Sequence, residues 1–526
     1  MTVNCEYDTM IATKQNNHYS YIYIGNGMYV STGRRKTRYE YLILHVGEQI
    51  LFFHAPGANF LKGGISMSAG VRIKQRLSES KGFYHSLIVV GIPVVIQNLL
   101  TSSLNLIDTL MVGRLGEQAV AAVGAANQLY FILNFIMVGI AAGCGIFISQ
   151  YNGKNDVRRM RHSLGISLML SVGFGLLFFL AAFLLPDQIA WLFIEEKGFI
   201  QETASYFRIV CFSYPISAVT VSYASSLRNT GRSVQAMVTS AIGIGVNIVL
   251  NEILIFGKLG FQAMGIEGAA LATLIARIAE MLVILILVYG GKTIFCVPLA
   301  QLFSFEKEFL LKVVKPITHT VGDELIWAAG LVTYSIAYGK LGETALAVAQ
   351  IYSVLQKFLS VLFYGIAGAA IVIIGQEIGQ THMERARQYG KKMIMITGFL
   401  SVLLSAAMFF GAPLFSGLFS LQEETSELVI TTLRMVALPF IGFGVNTVVL
   451  TGILRSGGDT KIPMLIDGGL IWLLGVPMAV AGCVFFKWPI YTVITLVNFV
   501  EVMKAIVFTL RFLRGNWISD MTKSES

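Results

Sequence analysis

Twelve candidate spans recur along this 526-residue chain, each longer than the roughly 18 residues a helix needs to cross a bilayer. They cover residues 86–112, 119–150, 162–185, 203–227, 233–256 and 266–290 in the first half. The second half adds 311–338, 345–376, 389–412, 427–454, 462–486 and 489–511. A soluble domain carries about 25% charged residues; this chain carries 13%, with 55% hydrophobic residues and a mean hydropathy of +0.69. The expected fold class is an all-α membrane protein of about twelve transmembrane helices. The net charge of +9 does not point to nucleic acid here, because excess Lys and Arg in a membrane protein gathers in cytoplasmic loops.

Loop charges test that count. With the N-terminus in the cytoplasm, the inner segments hold 23 Lys and Arg residues, from Arg72 and Lys154 through Arg385 to Arg514 and Lys523. The outer loops hold 5: Arg114, Lys197, Lys258, Lys340 and Lys487. An odd number of spans would destroy this positive-inside asymmetry. The pattern predicts a multi-pass protein of the cytoplasmic (inner) membrane with both termini cytoplasmic.

The halves repeat. Gly113-Arg-Leu-Gly-Glu117 matches Gly339-Lys-Leu-Gly-Glu343 at an offset of 226. The same offset pairs Gly139-Ile-Ala141 with Gly365-Ile-Ala367, Gln150 with Gln376, Gly153 with Gly379 and Arg159 with Arg385. At 227, Leu227-Arg228 meets Leu454-Arg455. Six helices per repeat is an even number, so the repeats run parallel, related by an axis along the membrane normal. This predicts an N-lobe over 86–290 and a C-lobe over 311–511, joined by a cytoplasmic linker at 291–310 and flanking a central cleft. Residues 67–85 and 512–526 read as cytoplasmic ends.

Residues 1–66 are polar and mixed, and lack the basic-then-apolar order of a signal peptide. Lys62-Gly63-Gly64 can be encoded by a ribosome-binding sequence two codons ahead of Met67. The expectation is an untranslated or disordered extension with translation starting at Met67. The five cysteines, Cys5, Cys144, Cys211, Cys296 and Cys483, show neither metal spacing nor a disulfide pattern.

Several motifs stand in order across both halves. The first span ends Asn105-Leu-Ile-Asp108-Thr-Leu-Met-Val-Gly-Arg-Leu-Gly116. The fourth runs into Leu227-Arg-Asn-Thr-Gly231, its partner into Leu454-Arg-Ser-Gly-Gly-Asp-Thr-Lys-Ile-Pro463, and the sixth opens Gly265-Ile-Glu-Gly-Ala-Ala-Leu-Ala-Thr273. Together, over residues 80–518, these resemble the multidrug and toxic compound extrusion (MATE) family. The resemblance implies cation-coupled antiport: Na+ or H+ enters while an organic, often cationic, compound such as a drug leaves.

A charge at mid-bilayer costs about 2.5–3.5 kcal/mol on insertion scales, so each one within a span needs a reason. Asp108 matches an acidic residue that the family uses for cation coupling. Asn247 and Asn251, spaced i,i+4, share one helix face; members it resembles carry Asp at the second position, and here the acid is displaced to Glu252. An Asn is no protonation switch, but its carbonyl can ligate Na+, so Asp108, Asn247 and Asn251 form a candidate Na+ site. Thr273 also resembles a site residue. In the second half Glu324, eight residues after Pro316, resembles a coupling Glu, with Asp323 beside it, while the tenth span lacks the acid some members place there. Lys357 is an intramembrane base, read either as a partner for Glu324 or as snorkelling. Tyr130, Tyr334 and Gln350, with further aromatics such as Phe135 and Tyr338, are candidates for lining a pocket for flat cations. Arg277 with Glu280, and Glu501 with Lys504, read as structural i,i+3 pairs. Asp467 reads as solvated near the cytoplasmic interface, and Arg228 and Arg455 as residues fixing equivalent turns.

The expected partners are small organic substrates and the lipid bilayer, with no nucleic acid, no cofactor beyond the coupling ion, and a monomeric state. A related flippase for lipid-linked saccharides is the nearest alternative, and it would call for a broad basic cleft. A membrane-embedded enzyme is disfavoured: Gly291-Lys292-Thr293 mimics the tail of a phosphate-binding loop, but Ile286 stands where its first glycine is required. No enzyme activity is expected.

Overall fold

Two units, Met1–Leu77 and Ser78–Ser526, make up the computed structural model, which describes residues 11–13, 19–24, 27–32, 41–46, 49–54, 69–193, 197–419 and 421–523. In the first unit, β1 (Ile11–Thr13), β2 (Tyr19–Ile24), β3 (Gly27–Thr32), β4 (Tyr41–Val46) and β5 (Gln49–His54) pair in sequence order. Every neighbouring pair is antiparallel, with Tyr21 opposite Val30 and Ile43 opposite Phe52. Strand pairing thus falls within the 1–66 extension. Its physical basis is the density of Tyr, Ile, Val and Phe in these segments, residue types that fit a pleated surface. Met67, the expected start, lies outside the described residues.

The second unit is a helical bundle. Its first half holds α1 (Ala69–Gly113, in this unit from Ser78 onward), α2 (Glu117–Gly153), α3 (Val157–Leu184), α4 (Lys197–Val210 and Ser213–Asn229), α5 (Ser233–Leu254) and α6 (Gly265–Tyr289). The second half holds α7 (Lys307–Gly339), α8 (Glu343–Gly379), α9 (Met383–Ser416), α10 (Glu423–Leu454), α11 (Lys461–Phe485) and α12 (Ile490–Arg514). Short helices, Pro186–Phe193 and Leu299–Leu302, lie between α3 and α4 and in the linker.

Among the described residues, ten single helices are long and apolar enough to cross a membrane, and α4, as a bent pair, makes eleven. The twelfth expected span, α7, is 33 residues, about 50 Å at helical rise. Length is sufficient, but His319, Asp323 and Glu324 interrupt its middle, so no 18-residue apolar run fits inside it. The fourth span, expected to be continuous, bends by 51° at residues 211–212. Pro215, which has no backbone N–H to give, stands just beyond the bend. The segment 67–85, expected as a lead-in, carries α1 back to Ala69.

The repeated motif has a local cause. Gly116 and Gly342, the fourth residues of Gly-Arg-Leu-Gly-Glu and Gly-Lys-Leu-Gly-Glu, take φ 110° and 108° immediately before α2 and α8. Only glycine adopts that conformation without strain.

The repeat also appears in packing, where it crosses between the halves. A Cβ on Gly139 of α2 would lie 2.6 Å from Val321 Cα of α7. In the equivalent contact, a Cβ on Gly365 of α8 would lie 3.1 Å from Gly91 O and collide with Val95 of α1. Offset by 226, Val95 is Val321 and Gly139 is Gly365. At the ends of α2 and α8 that carry the basic loops, Gly153 seats against Gln376 O and Gly379 against Gln150 O. The early part of α1 therefore enters the second half's core, where Phe83 and Val90 join α8–α12. The early part of α7 enters the first half's core through Phe309, Val313 and Ile317. Away from the basic loops, the clusters around Met111 and Phe207 and around Ala337 and Val493 each draw on a single half. The lobes are thus seamed at the basic end and separate at the other.

Gly139→Leu tests the seam. Its neighbour is backbone and cannot swing away, so the cost is at least the roughly 1–3 kcal/mol of overpacking. A lowered thermal midpoint in detergent is the expected result, whereas Gly398→Ala, with nothing within 4 Å of the added Cβ, is expected to leave it unchanged.

Candidate functional site

In the first half the four residues singled out on α1, α5 and α6 form one hydrogen-bonded chain. Asn251 Nδ2 donates to Asp108 Oδ1 at 2.7 Å and to Asn247 Oδ1 at 3.1 Å. Asn247 Nδ2 donates to Thr273 Oγ1 at 3.4 Å. The i,i+4 spacing on α5 stacks both amides on one face, and that face meets α1 and α6. Asn251 is fully buried, and its Oδ1 has no hydrogen-bond partner among the described residues. A buried acceptor left open costs about 1–3 kcal/mol, and this oxygen belongs to the same amide that donates to Asp108, so it is an acceptor able to take a donor or ligate a cation. Glu252 points elsewhere: it is a third exposed and pairs with Lys258.

Around this chain Arg277 is held by Glu280 at 2.8 Å. Its guanidinium also lies 5.9 Å from the ring centroid of Tyr130, within cation–π reach. Tyr130 in turn stands 5.8 Å from the ring of Tyr214. Asp108, Arg277 and Glu280 together provide two carboxylates for one base.

In the second half Glu324 is paired, but not with Lys357. Arg455 donates to Glu324 Oε1 at 3.0 Å and to Asp323 Oδ2 at 2.6 Å. Lys357 is exposed and makes no ion pair among the described residues. The guanidinium fork spans two adjacent carboxylates, which a single ammonium cannot do. Arg455 is 6% exposed and reaches back from the end of α10 into α7. Its repeat-mate Arg228 reaches Gln97 of α1 at 3.1 Å, so the same reach ends on an amide in the first half.

A second buried cluster forms around the expected Glu501–Lys504 pair, which Asp467 and Asn446 join. Lys504 of α12 is 0% exposed and pairs with Glu501 at 2.8 Å and Asp467 of α11 at 3.1 Å. Asn446 Nδ2 of α10 donates to Glu501 at 2.6 Å. Asp467 is thus buried at 2% exposure rather than solvated, because α12 covers it with a base. Here too one base meets two carboxylates. Tyr334 packs its hydroxyl against Gly475 and stacks on Tyr338 at 6.5 Å. Gln350 is exposed, with no side-chain hydrogen bond among the described residues.

A family model described as MatE matches residues 93–253 and 325–481, one stretch in each half, as a duplicated unit requires. The probable multidrug resistance protein YoeA of Bacillus subtilis (strain 168) is 25% identical over 400 residues, covering 75% of this chain and 86% of that protein. A probable multidrug resistance protein NorM of Thermotoga maritima is 22% identical over 442 residues, covering 82% and 92%. Among solved structures, a MATE in complex with MaL6 superposes with TM-score 0.74 at 21% identity, covering 82% of this chain and 96% of that one. An outward-facing multidrug resistance MATE family transporter of the MOP superfamily gives 0.74 at 20%, covering 84% and 96%.

Proposed function

The chain belongs to the MatE family of membrane transporters, and from that premise we propose that it is an antiporter exporting organic cations in exchange for Na+ or H+. The observation that carries this reading is the Asp108–Asn251–Asn247–Thr273 chain with its open acceptor at Asn251 Oδ1. A carboxylate and a neighbouring amide oxygen provide oxygen ligands for Na+, and the carboxylate alone can take a proton. Arg277 and Glu280 neutralise each other, so the charge left over is that of Asp108. A monovalent cation entering here cancels it.

The basic loops face the cytoplasm of an inner membrane, with both ends of the chain on that side. The cargo is a small organic cation, held in a cleft to which Tyr130 and Tyr334 contribute ring faces and the unbalanced second-half carboxylates contribute charge. The working unit is a monomer in the bilayer.

Ethidium efflux from a pump-deficient host, with and without Na+ and with the proton gradient collapsed, tests the reading. The expected result is efflux that stops when one of these two gradients is removed. Efflux indifferent to both, or none of any organic cation tried, overturns it.

A further inference from the structure

The chain does not end with α12. Gly515, with φ 81°, stops that helix, and residues 516–523 run back across the basic end of the bundle. Trp517 is fully buried, donates its indole N–H to Phe512 O at 3.1 Å and packs on Gly457 in the α10–α11 loop. Ser519 N donates to Gly457 O at 2.8 Å, and Ile518 bridges Gly458. So far the tail is a second-half element.

Its other contacts are with the first half and with α7. Gln150 near the end of α2 donates to Ser456 O at 2.9 Å and to Ser519 O at 3.2 Å, and its Oε1 accepts from Met521 N at 2.8 Å. Both amide hydrogens and the carbonyl are therefore committed, all three across the seam. Lys154 faces Asp520 at 3.7 Å, and Lys312 of α7 donates to Lys523 O. The repeat supplies an internal control. Gln376 holds the equivalent place on α8, and its side chain has no hydrogen-bond partner among the described residues. Of two equivalent glutamines on the seam, only Gln150 is tied among the described residues, and the tail supplies two of its three bonds.

We infer that Trp517–Met521 and Gln150 form a latch that holds the basic end shut, and that this latch must let go of Gln150 each time the lobes part there during transport. Trp517 anchors the segment to the α10–α11 loop, and Gln150 is the catch on the opposite lobe. The seam below it is glycine against carbonyl oxygen, which packs tightly but offers little to hold it once water enters. The three bonds of Gln150 supply that hold.

Spin labels at Asn155 and Thr381, exposed and offset by 226 on the basic-end loops of the two lobes, read the opening directly as a distance distribution. This is done in a background with the native cysteines replaced. Wild type is expected to populate mainly the short distance. Gln150→Leu removes all three bonds; each net hydrogen bond lost shifts such an equilibrium about five-fold, so its long-distance population is expected to rise at least about five-fold. Gln150→Glu keeps the acceptor for Met521 N and should fall between. Trp517→Ala and truncation after Gly515 take away the Ser519 and Met521 bonds but leave the one to Ser456 O, so they should fall between wild type and Gln150→Leu, and Gln376→Leu should match wild type. Distributions unchanged in Gln150→Leu and in the truncated chain overturn the latch, as does an equal response from Gln376→Leu. Lobe separation is read without any efflux, so this outcome is independent of what the protein exports.

Discussion

Asp108→Asn is expected to yield a folded protein whose ion-driven efflux falls to the background of the pump-deficient host. Folding should survive because the replacement has the same shape and the bond it must keep is an acceptor bond: Asn251 Nδ2 donates to Asp108 Oδ1 at 2.7 Å, and the carbonyl of a substituted amide can accept it. What disappears is the charge. With Arg277 already committed to Glu280, no other anion in the hydrogen-bonded chain can draw in a cation or hold a proton. A thermal midpoint close to wild type with ion-dependent efflux lost is therefore the signature. Unchanged ion-dependent efflux would remove Asp108 from the mechanism, and a collapsed midpoint would assign it to the fold instead.

Arg455→Ala should have the largest effect on stability. The guanidinium pairs with both Asp323 and Glu324, and its side chain is 7% exposed. Removing one member of a buried ion pair leaves an uncompensated charge and costs about 3–5 kcal/mol, enough to consume much of a domain's net stability. The amount of folded protein recovered and its thermal midpoint in detergent should both drop sharply. Arg455→Lys should rescue only partly, because one ammonium cannot fork across two carboxylates. Adding Asp323→Asn and Glu324→Gln to Arg455→Ala should restore the midpoint, since no buried charge is then left unpaired. If the triple variant is as unstable as the single one, packing rather than charge accounts for the loss.

What the sequence revealed divides along a physical line. The Asp108, Asn247, Asn251 and Thr273 set was legible because each lies in a motif, and the helical period puts the two amides on one face. The duplication was legible for the same reason, as direct identity at an offset of 226. Arg455 was misassigned to a turn because its partners stand 131 and 132 residues earlier, and no local pattern announces so distant a pairing. Asp467 was read as solvated from its place early in a span; only the fold brings Lys504 over it. Glu501 and Lys504 were paired correctly by spacing, but i,i+3 geometry cannot show that a third and fourth group join them. The polarity of α7 reflects the same limit, since the acids that dilute its apolar character are those answered by Arg455 from another helix.

The crossing of the early parts of α1 and α7 between the halves bears on how such a chain is made. Phe309, Val313 and Ile317 of α7 complete the first half's core, and Phe83 and Val90 of α1 complete the second's. The first half therefore leaves the ribosome with a gap that only later synthesis can fill, and α1 waits unpacked on its early side until α8–α12 exist. A chain cut in the 290–306 linker is therefore expected to accumulate best when both pieces are made together. The same interlock suits an ancestor of single length: two copies, each lending its opening helix to the other, would close both cores, and fusing them would preserve every contact.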